Sequence, residues 1–298
     1  MIEEKFVDLY ARNSGLKDKL IAERDVVLAY ALDAIHAAGL AGALAFKGGT
    51  CLRKCVFGSS GRFSEDLDFT LTGGKGALER IMAMFGGEHH GIKFRIEESY
   101  AGDDGTSWGA LIGYEHAWNS LGRFKLQVSL REEPTLPVVP LPQKRQAYFK
   151  YLEFAPAAAP ALQVIEMTAE KLRAACQRVK VRDLYDLCLI AELPFDVDLL
   201  RSLVVLKLWQ SGDPFDPDRF FDKIGGTKYD WTDLERLLRS NQKLVPSRIL
   251  EKIRGRYAAL RGLTSLEQTV AKSARGRRNK AAAEKLRGAA RELFSASA

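Results

Sequence analysis

The residues Lys47-Gly48-Gly49-Thr50, followed after a loop by Ser64-Glu65-Asp66-Leu67-Asp68-Phe69, decide the reading of this chain. From Asp66 to Leu71 polar and apolar residues alternate, so Asp66, Asp68 and Thr70 share one face of a strand and Leu67, Phe69 and Leu71 the other. Two carboxylates at i and i+2 on one face can grip the same divalent cation. Mg²⁺ takes a few carboxylates and completes its octahedron with water and phosphate oxygens. The paired glycines let a backbone turn approach a phosphate, and a helix starting near Thr50 aims its N–H groups there. Phosphoryl or nucleotidyl transfer needs that combination of positioning and charge neutralisation. Taken singly, Asp-x-Asp is often a solvated strand face and Gly-Gly often a turn; order and short separation carry the joint reading. The stretch is not a Walker A loop, because no Gly-Lys-Ser/Thr closes it.

Working outward, residues 4–39 read as helical, with Leu16, Leu20, Val26, Val27, Ala31, Leu32 and Ile35 at helix-like spacing. Ala43 to Phe46 reads as a short buried strand, and the segment after Thr50 as a helix to about Phe57. A helix is predicted from Ala77 to Phe85, and strands over Ile92–Glu98, Ala110–His116 and Arg123–Arg131. In the last of these Phe124, Leu126, Val128 and Leu130 alternate with Arg123, Lys125, Gln127, Ser129 and Arg131. Pro134, Pro137, Pro140 and Pro142 end the sheet pattern, and Ala155 to Ala161 reads as a connector. The rest reads as mostly helical, with no internal repeat. Thr168 either caps or lies inside a helix carrying Lys171, and Leu184, Leu187, Cys188 and Ala191 form the stripe of the next. The expectation is an α+β chain with a small mixed sheet in 1–155 and a helical domain in 156–298.

The 298 residues suffice for one large or two modest domains, and 46% hydrophobic with 28% charged residues is ordinary for a globular protein. No apolar run approaches the roughly 20 residues that span a bilayer. Met1-Ile2-Glu3-Glu4-Lys5 has no secretory pattern, so a cytoplasmic protein is expected. Cys51, Cys55, Cys176 and Cys188 make no disulfide framework. Cys51 and Cys55, one helical turn apart, fit buried thiols better than half of a zinc site. His89-His90 falls in the Gly-rich stretch Gly86 to Gly91 and reads as a loop. The net charge of +7 is unevenly spread: from Arg236 onward there are 16 Lys+Arg against 4 Asp+Glu, and before it 29 against 34. Such asymmetry favours a polyanionic partner, nucleic acid above all, although a solvated helical surface produces it too. The residues from Lys272 on read as a frayed helix or basic tail with no core of its own.

A second block, Ala169-Glu170-Lys171-Leu172-Arg173-Ala174 and Val181-Arg182-Asp183-Leu184-Tyr185-Asp186-Leu187, reads two ways. Lys171 among Glu166, Glu170 and Arg173 fits a surface ion-pair helix. Asp183 and Asp186 share a helix face and fit an acidic first turn, with Arg182 able to pair with either. Together, however, Lys47-Gly48-Gly49-Thr50, Arg62-x-Ser64-x-Asp66-x-Asp68-Phe69 and this second block resemble the AbiEii-type nucleotidyltransferases, toxins of type IV-like toxin–antitoxin and phage-abortive systems. The resemblance spans Phe46 to Leu187. It implies a polymerase-β-like fold in which Lys47, Gly48, Gly49, Thr50, Arg62 and Ser64 bind the nucleoside triphosphate. Asp66 and Asp68 would bind one or two Mg²⁺ ions, Lys171 the phosphates, and Asp183 or Asp186 would complete the site. It further implies an RNA acceptor, in some members the tRNA 3′ end, whose modification blocks aminoacylation and growth, and a cognate antitoxin.

One departure stands out. Enzymes of that superfamily carry a third carboxylate on a later strand, and the position expected here is Gln127, an amide that cannot act as a base. Glu132 and Glu133 lie just beyond and are the nearest substitutes. The other functions compatible with these residues are the same transfer onto a protein or small molecule, and a non-catalytic NTP-binding regulator.

Overall fold

The N-terminal helical stretch breaks once, at Gly15, giving helix α1 (Glu4–Ser14) and helix α2 (Lys19–Ala37) where one run was expected. Gly15 sits at φ 64, and a Cβ there would lie 2.0 Å from Ser240 Oγ, so both backbone and space require glycine. Asp18 caps α2 by accepting from the Leu20 N–H. The computed structural model describes residues 2–74, 76–102, 105–131, 133–275 and 278–297.

Strand β1 (Leu44–Lys47) runs directly into a four-residue helix, α3 (Gly48–Cys51), which widens into a π-helical stretch over Leu52–Phe57. Strand β2 (Asp66–Leu71) and helix α4 (Gly76–Met84) follow. Then come β3 (Glu88–His89), β4 (Ile92–Ala101), β5 (Ser107–His116) and β6 (Asn119–Ser129). Two short strands, β7 (Val139–Leu141) and β8 (Ala159–Ala161), complete one mixed sheet of order β3-β4-β5-β6-β2-β1-β8-β7. The prolines were expected to end the sheet. Instead Pro140 pairs with Pro160 at its edge, where a residue without an N–H is tolerated, and the expected connector contains β8.

The alternation read from sequence sets the two faces. Phe124, Leu126 and Val128 of β6 are buried with Leu67 and Phe69 of β2, and Phe46 stacks on Phe69 at 5.1 Å. Each such side chain contributes about 1.5–3 kcal/mol by leaving water. The opposite face carries Asp66, Asp68, Lys125 and Gln127.

The chain divides into two compact units. One comprises Met1–Pro134, Val138–Leu162 and Glu235–Lys243; the other comprises Thr135–Pro137, Gln163–Leu234 and Leu244–Ala298. In order, the remaining helices are α5 (Val164–Gln177), α6 (Val181–Ile190), α7 (Val197–Gln210), α8 (Pro217–Gly226) and α9 (Thr232–Glu235). The chain ends with α10 (Pro246–Arg256), α11 (Ser265–Lys272) and α12 (Lys280–Ser297). Helix α7 is buried on nearly every side, as the centre of the second unit requires, with its buried Arg201 and Lys207 paired to Glu267 and Glu166. The expected coreless tail is a correction: α12 packs on α7, and Ala283, Leu286 and Ala290 are buried. The Arg278 guanidinium also lies 3.9 Å from the Trp209 ring centroid. The apolar residues recur at helix spacing among alanines, which an eye searching for long apolar runs passes over. Among the described residues no helix is long and apolar enough to cross a membrane.

Candidate active site

The two halves of the opening motif meet because β1 and β2 pair antiparallel, with Lys47 opposite Asp68. The chain leaves β1 through Gly48 at φ 79, and a Cβ there would lie 2.2 Å from Asp68 Oδ2. Only glycine fits on both counts, so Gly48 brings a helix start against the Asp68 carboxylate. Gly49 lets Arg62 come close: a Cβ would sit 2.5 Å from an Arg62 guanidinium nitrogen and 3.0 Å from Ser64 Oγ, so a larger residue would displace the Arg62 side chain. Lys47, Gly48, Gly49, Arg62, Ser64 and Asp68 are therefore gathered around one turn. Thr50 is fully buried and its hydroxyl donates to the Asp66 carbonyl, which ties the helix start to β2. Asp66 and Asp68 are half-buried on the same face.

The loop that carries Arg62 and Ser64 is held from several sides. Arg53 is buried and donates to the Gly58 and Gly61 carbonyls at 2.5 and 3.2 Å. It also reaches Tyr10 at 2.9 Å and Asp25 at 3.4 Å. Lys54 donates to Asp25 Oδ1 at 3.1 Å and to the Tyr148 hydroxyl at 2.9 Å. Burial pushes the Asp25 carboxyl up, but Lys54 and Arg53 outweigh it and hold it below its ordinary value. The segment Glu235–Lys243 closes the other side: the Phe63 N–H donates to the Leu237 carbonyl at 2.8 Å, and Arg236 pairs with Glu65 at 2.5 Å, as does Arg24. Nothing local in the sequence marks this return of the chain, since it joins positions about 170 residues apart.

Across the sheet the register continues from Lys47 and Asp68 to Gln127 of β6, Gly109 of β5 and Tyr100 of β4. Gln127 thus stands directly beside Asp68, where the third carboxylate was expected. Its amide reaches the Tyr100 hydroxyl at 3.4 Å. A Cβ at Gly109 would come within 2.4 Å of the Tyr100 ring, so the glycine makes room for that ring on the acidic face. Tyr100 is 42% exposed there. It escaped the sequence reading because only long-range register places it near Asp68. Glu133 is exposed in the loop after β6, and Glu132 lies outside the described residues.

The second block lies in the helical unit. Lys171 Nζ is 3.1 Å from Asp183 Oδ1 and 2.8 Å from Asp186 Oδ2, and Arg178 Nε is 2.7 Å from Asp183 Oδ2. Burial alone would raise the Asp183 carboxyl; Lys171 and Arg178 outweigh it and hold it well below the carboxylate range. The surface ion-pair helix is borne out in part: Glu170 pairs with Arg173 at 2.7 Å, but Lys171 is buried, Glu166 and Glu170 also reach Lys207 at 2.7 and 3.2 Å, and Arg182 pairs with Asp233 at 2.8 Å. Thr168 lies inside α5, with its hydroxyl bonded back to the Val164 carbonyl at 2.8 Å. Cys51 and Cys55 are buried free thiols.

Residues 30–259 match the family described as nucleotidyl transferase AbiEii toxin, type IV TA system. The chain belongs to the AbiEii family. It is therefore a nucleotidyltransferase of the toxin class, and membership in a toxin–antitoxin family supports a cognate antitoxin as partner. The AbiEii chain is similar in structure to MenT4, a nucleotidyltransferase toxin from Mycobacterium tuberculosis H37Rv, with a TM-score of 0.83 and 23% identity over 98% of this chain and 100% of that one. That likeness establishes the fold. JHP933 from Helicobacter pylori is also similar, with a TM-score of 0.47 and 21% identity over 78% of this chain and 89% of that one. A comparison with curated proteins gives no match.

Proposed function

We propose that this AbiEii protein moves a nucleotide from a nucleoside triphosphate onto RNA, with the tRNA 3′ end as the acceptor, and that Asp66 and Asp68 hold the Mg²⁺ the reaction uses. The observation that carries the reading is the Asp68 carboxylate set against Gly48, on the face it shares with Asp66. The donor set fits Mg²⁺: both groups are hard oxygen ligands, half-buried on one strand face, and Gly48 passes so close to Asp68 that a Cβ would lie 2.2 Å from its Oδ2. Bound there, Mg²⁺ would neutralise phosphate charge as it shifts during transfer. The chain's own residues do the positioning. Gly48 and Gly49 keep the turn slim enough for a triphosphate, Lys47, Arg62 and Ser64 surround that turn with cations and a hydroxyl, and Thr50 fixes Asp66. Gln127 cannot take a proton from the attacking hydroxyl, so β6 supplies orientation and no base. Tyr100 offers an aromatic face on which a base can stack. The charge surplus after Arg236 supports an RNA acceptor, because phosphate contacts come from Lys and Arg.

The test offers labelled NTPs with Mg²⁺ to total RNA and, separately, to RNA-depleted extract. Label is expected in RNA and to be lost with Asp66→Asn or Asp68→Asn. Label confined to protein or small molecules would overturn the RNA acceptor and leave the transfer chemistry standing. Because α12 is part of the core, the basic region is tested by substitution: Lys272→Gln, Lys280→Gln and Lys285→Gln, all at exposed positions. Together they should flatten the salt dependence of RNA binding by about 0.7 per lost phosphate contact.

A further inference from the structure

A second group of ligating side chains lies in the first unit, on residues the transfer reading does not use. Helix α2 supplies Asp33, and the hairpin of β3 and β4 supplies His89 and His90. His89 Nε2 is 2.7 Å from Asp33 Oδ2, and His90 Nε2 is 3.4 Å from the same oxygen. The three ligating atoms all lie within 4.8 Å of one another. A tetrahedral ion with bonds of about 2.0–2.1 Å holds its ligand atoms roughly 3.3 Å apart, so this spacing needs only a small adjustment.

The rings are held in place by their surroundings. His90 Nδ1 is 3.3 Å from Glu153 Oε2, which places that carboxylate to orient the ring from behind while Nε2 faces Asp33. Phe154 stacks on the His90 ring at 5.4 Å, and Tyr30 meets it edge-on at 6.1 Å. The backbone is also committed. His90 has φ 48, the one positive φ outside glycine among the described residues, and Gly91 follows at φ 73. These two residues form a primed two-residue turn between β3 and β4, where the Gly-rich stretch was expected to be loop. That left-handed position swings His90 back beside His89, so adjacent residues present both Nε2 atoms to one carboxylate. Side-chain exposures of 13%, 22% and 31% for Asp33, His89 and His90 leave the cluster shielded and still reachable by a hydrated ion.

We infer that Asp33, His89 and His90 form a binding site for a divalent transition-metal ion of the zinc class, with the fourth position left to water and Glu153 as the outer carboxylate of His90. Two imidazoles with one carboxylate select zinc-like ions over Mg²⁺ and Ca²⁺, which prefer all-oxygen sets. The site is thereby chemically distinct from Asp66 and Asp68. The ion clamps α2 to the β3–β4 hairpin.

The experiment uses full-length, untagged protein carrying Asp66→Asn and Asp68→Asn, so that the oxygen site does not contribute. Co²⁺ is titrated as a spectroscopic probe, Zn²⁺ is used to displace it, and melting is followed with and without Zn²⁺. One Co²⁺ per chain with a tetrahedral-type visible band, displaced by Zn²⁺, and a higher Tm with Zn²⁺ are expected. Asp33→Asn and His89→Ala should weaken binding at least about 100-fold, and Glu153→Gln about 10- to 100-fold. His90→Asn should weaken it as much as His89→Ala while keeping the turn, because asparagine tolerates the left-handed conformation. Absence of stoichiometric Co²⁺ binding, or binding unchanged by His89→Ala and His90→Asn, would overturn the site and leave a histidine–aspartate hydrogen-bond cluster.

Discussion

Two acidic pairs stand out in this chain, and they are built in opposite ways. Asp66 and Asp68 lie half-buried on one strand face, where Gly48 packs so close to Asp68 that no side chain fits between them. Asp183 and Asp186 are 1% and 3% exposed and are bound to Lys171, with Arg178 on Asp183. In sequence both pairs read as acids at short spacing. The difference is burial and its compensation: the first pair is half-buried, within reach of a cation from solution, while the second is buried against cations of its own helices. A buried carboxylate pair without such cations would be strongly disfavoured, so the second arrangement is answerable in stability and the first in rate.

The largest expected effect follows from that. Lys171→Ala removes the cation that buried Asp183 and Asp186 share, leaving Arg178 on Asp183, and should cost about 3–5 kcal/mol, read by chemical denaturation. A cost within about 0.5 kcal/mol, as for a solvated lysine, would break the contrast. Asp66→Asn should do the reverse: transfer falls about 100-fold or more, about 3 kcal/mol in barrier, at nearly unchanged melting temperature. Near-native transfer by that variant would sink the proposed metal role.

Acid tests the second pair as well. The Asp183 carboxyl is depressed in the folded state, so its contribution is complete above the unfolded carboxylate value of about 3.9 and is lost as pH falls below it toward the folded value. Denaturation at pH 6 and pH 3 should therefore show a drop in stability, and Asp183→Asn should flatten it. A drop of equal size in that variant would assign the acid sensitivity elsewhere.

Two smaller effects sharpen the picture of the open face. Tyr100→Ala should weaken productive binding by about 1–3 kcal/mol if a base stacks there, while Tyr100→Phe keeps most of it. An unchanged KM in Tyr100→Ala returns the ring to a purely structural part. Gln127→Glu places a carboxylate beside Asp68 and should tighten Mg²⁺ binding or raise the rate by up to about tenfold. No response in either measurement would mean that the third acid has no function at this position.

The elements near the motif were legible in sequence because short-range rules determine them. Alternation placed β2 and β6, and glycine chemistry placed the turn after Lys47. The breaks in the reading have equally physical causes. Gly15 was passed over because helical spacing continues on both sides of it; its left-handed φ matters only once Ser240 packs against it. Pro140 and Pro160 argued against strands, yet they face each other at the margin of the sheet, Pro140 on the edge strand β7 and Pro160 on β8 beside it, each strand only three residues long.

The sequence by itself determined the two carboxylates on one strand face, the slim turn before them, the amide at position 127 and the uneven charge. All of these depend on residue type and on spacing of a few residues. Tertiary structure alone decided that Gln127 stands beside Asp68 and Tyr100 beyond it, that residues 235–243 brace the loop of Arg62 and Ser64, and that Lys171 is buried among acids. It also decided that His89 and His90 meet Asp33 across 56 residues of chain. The reason is that register, burial and chain return depend on contacts between distant positions, and no local propensity records which distant partner a residue will find.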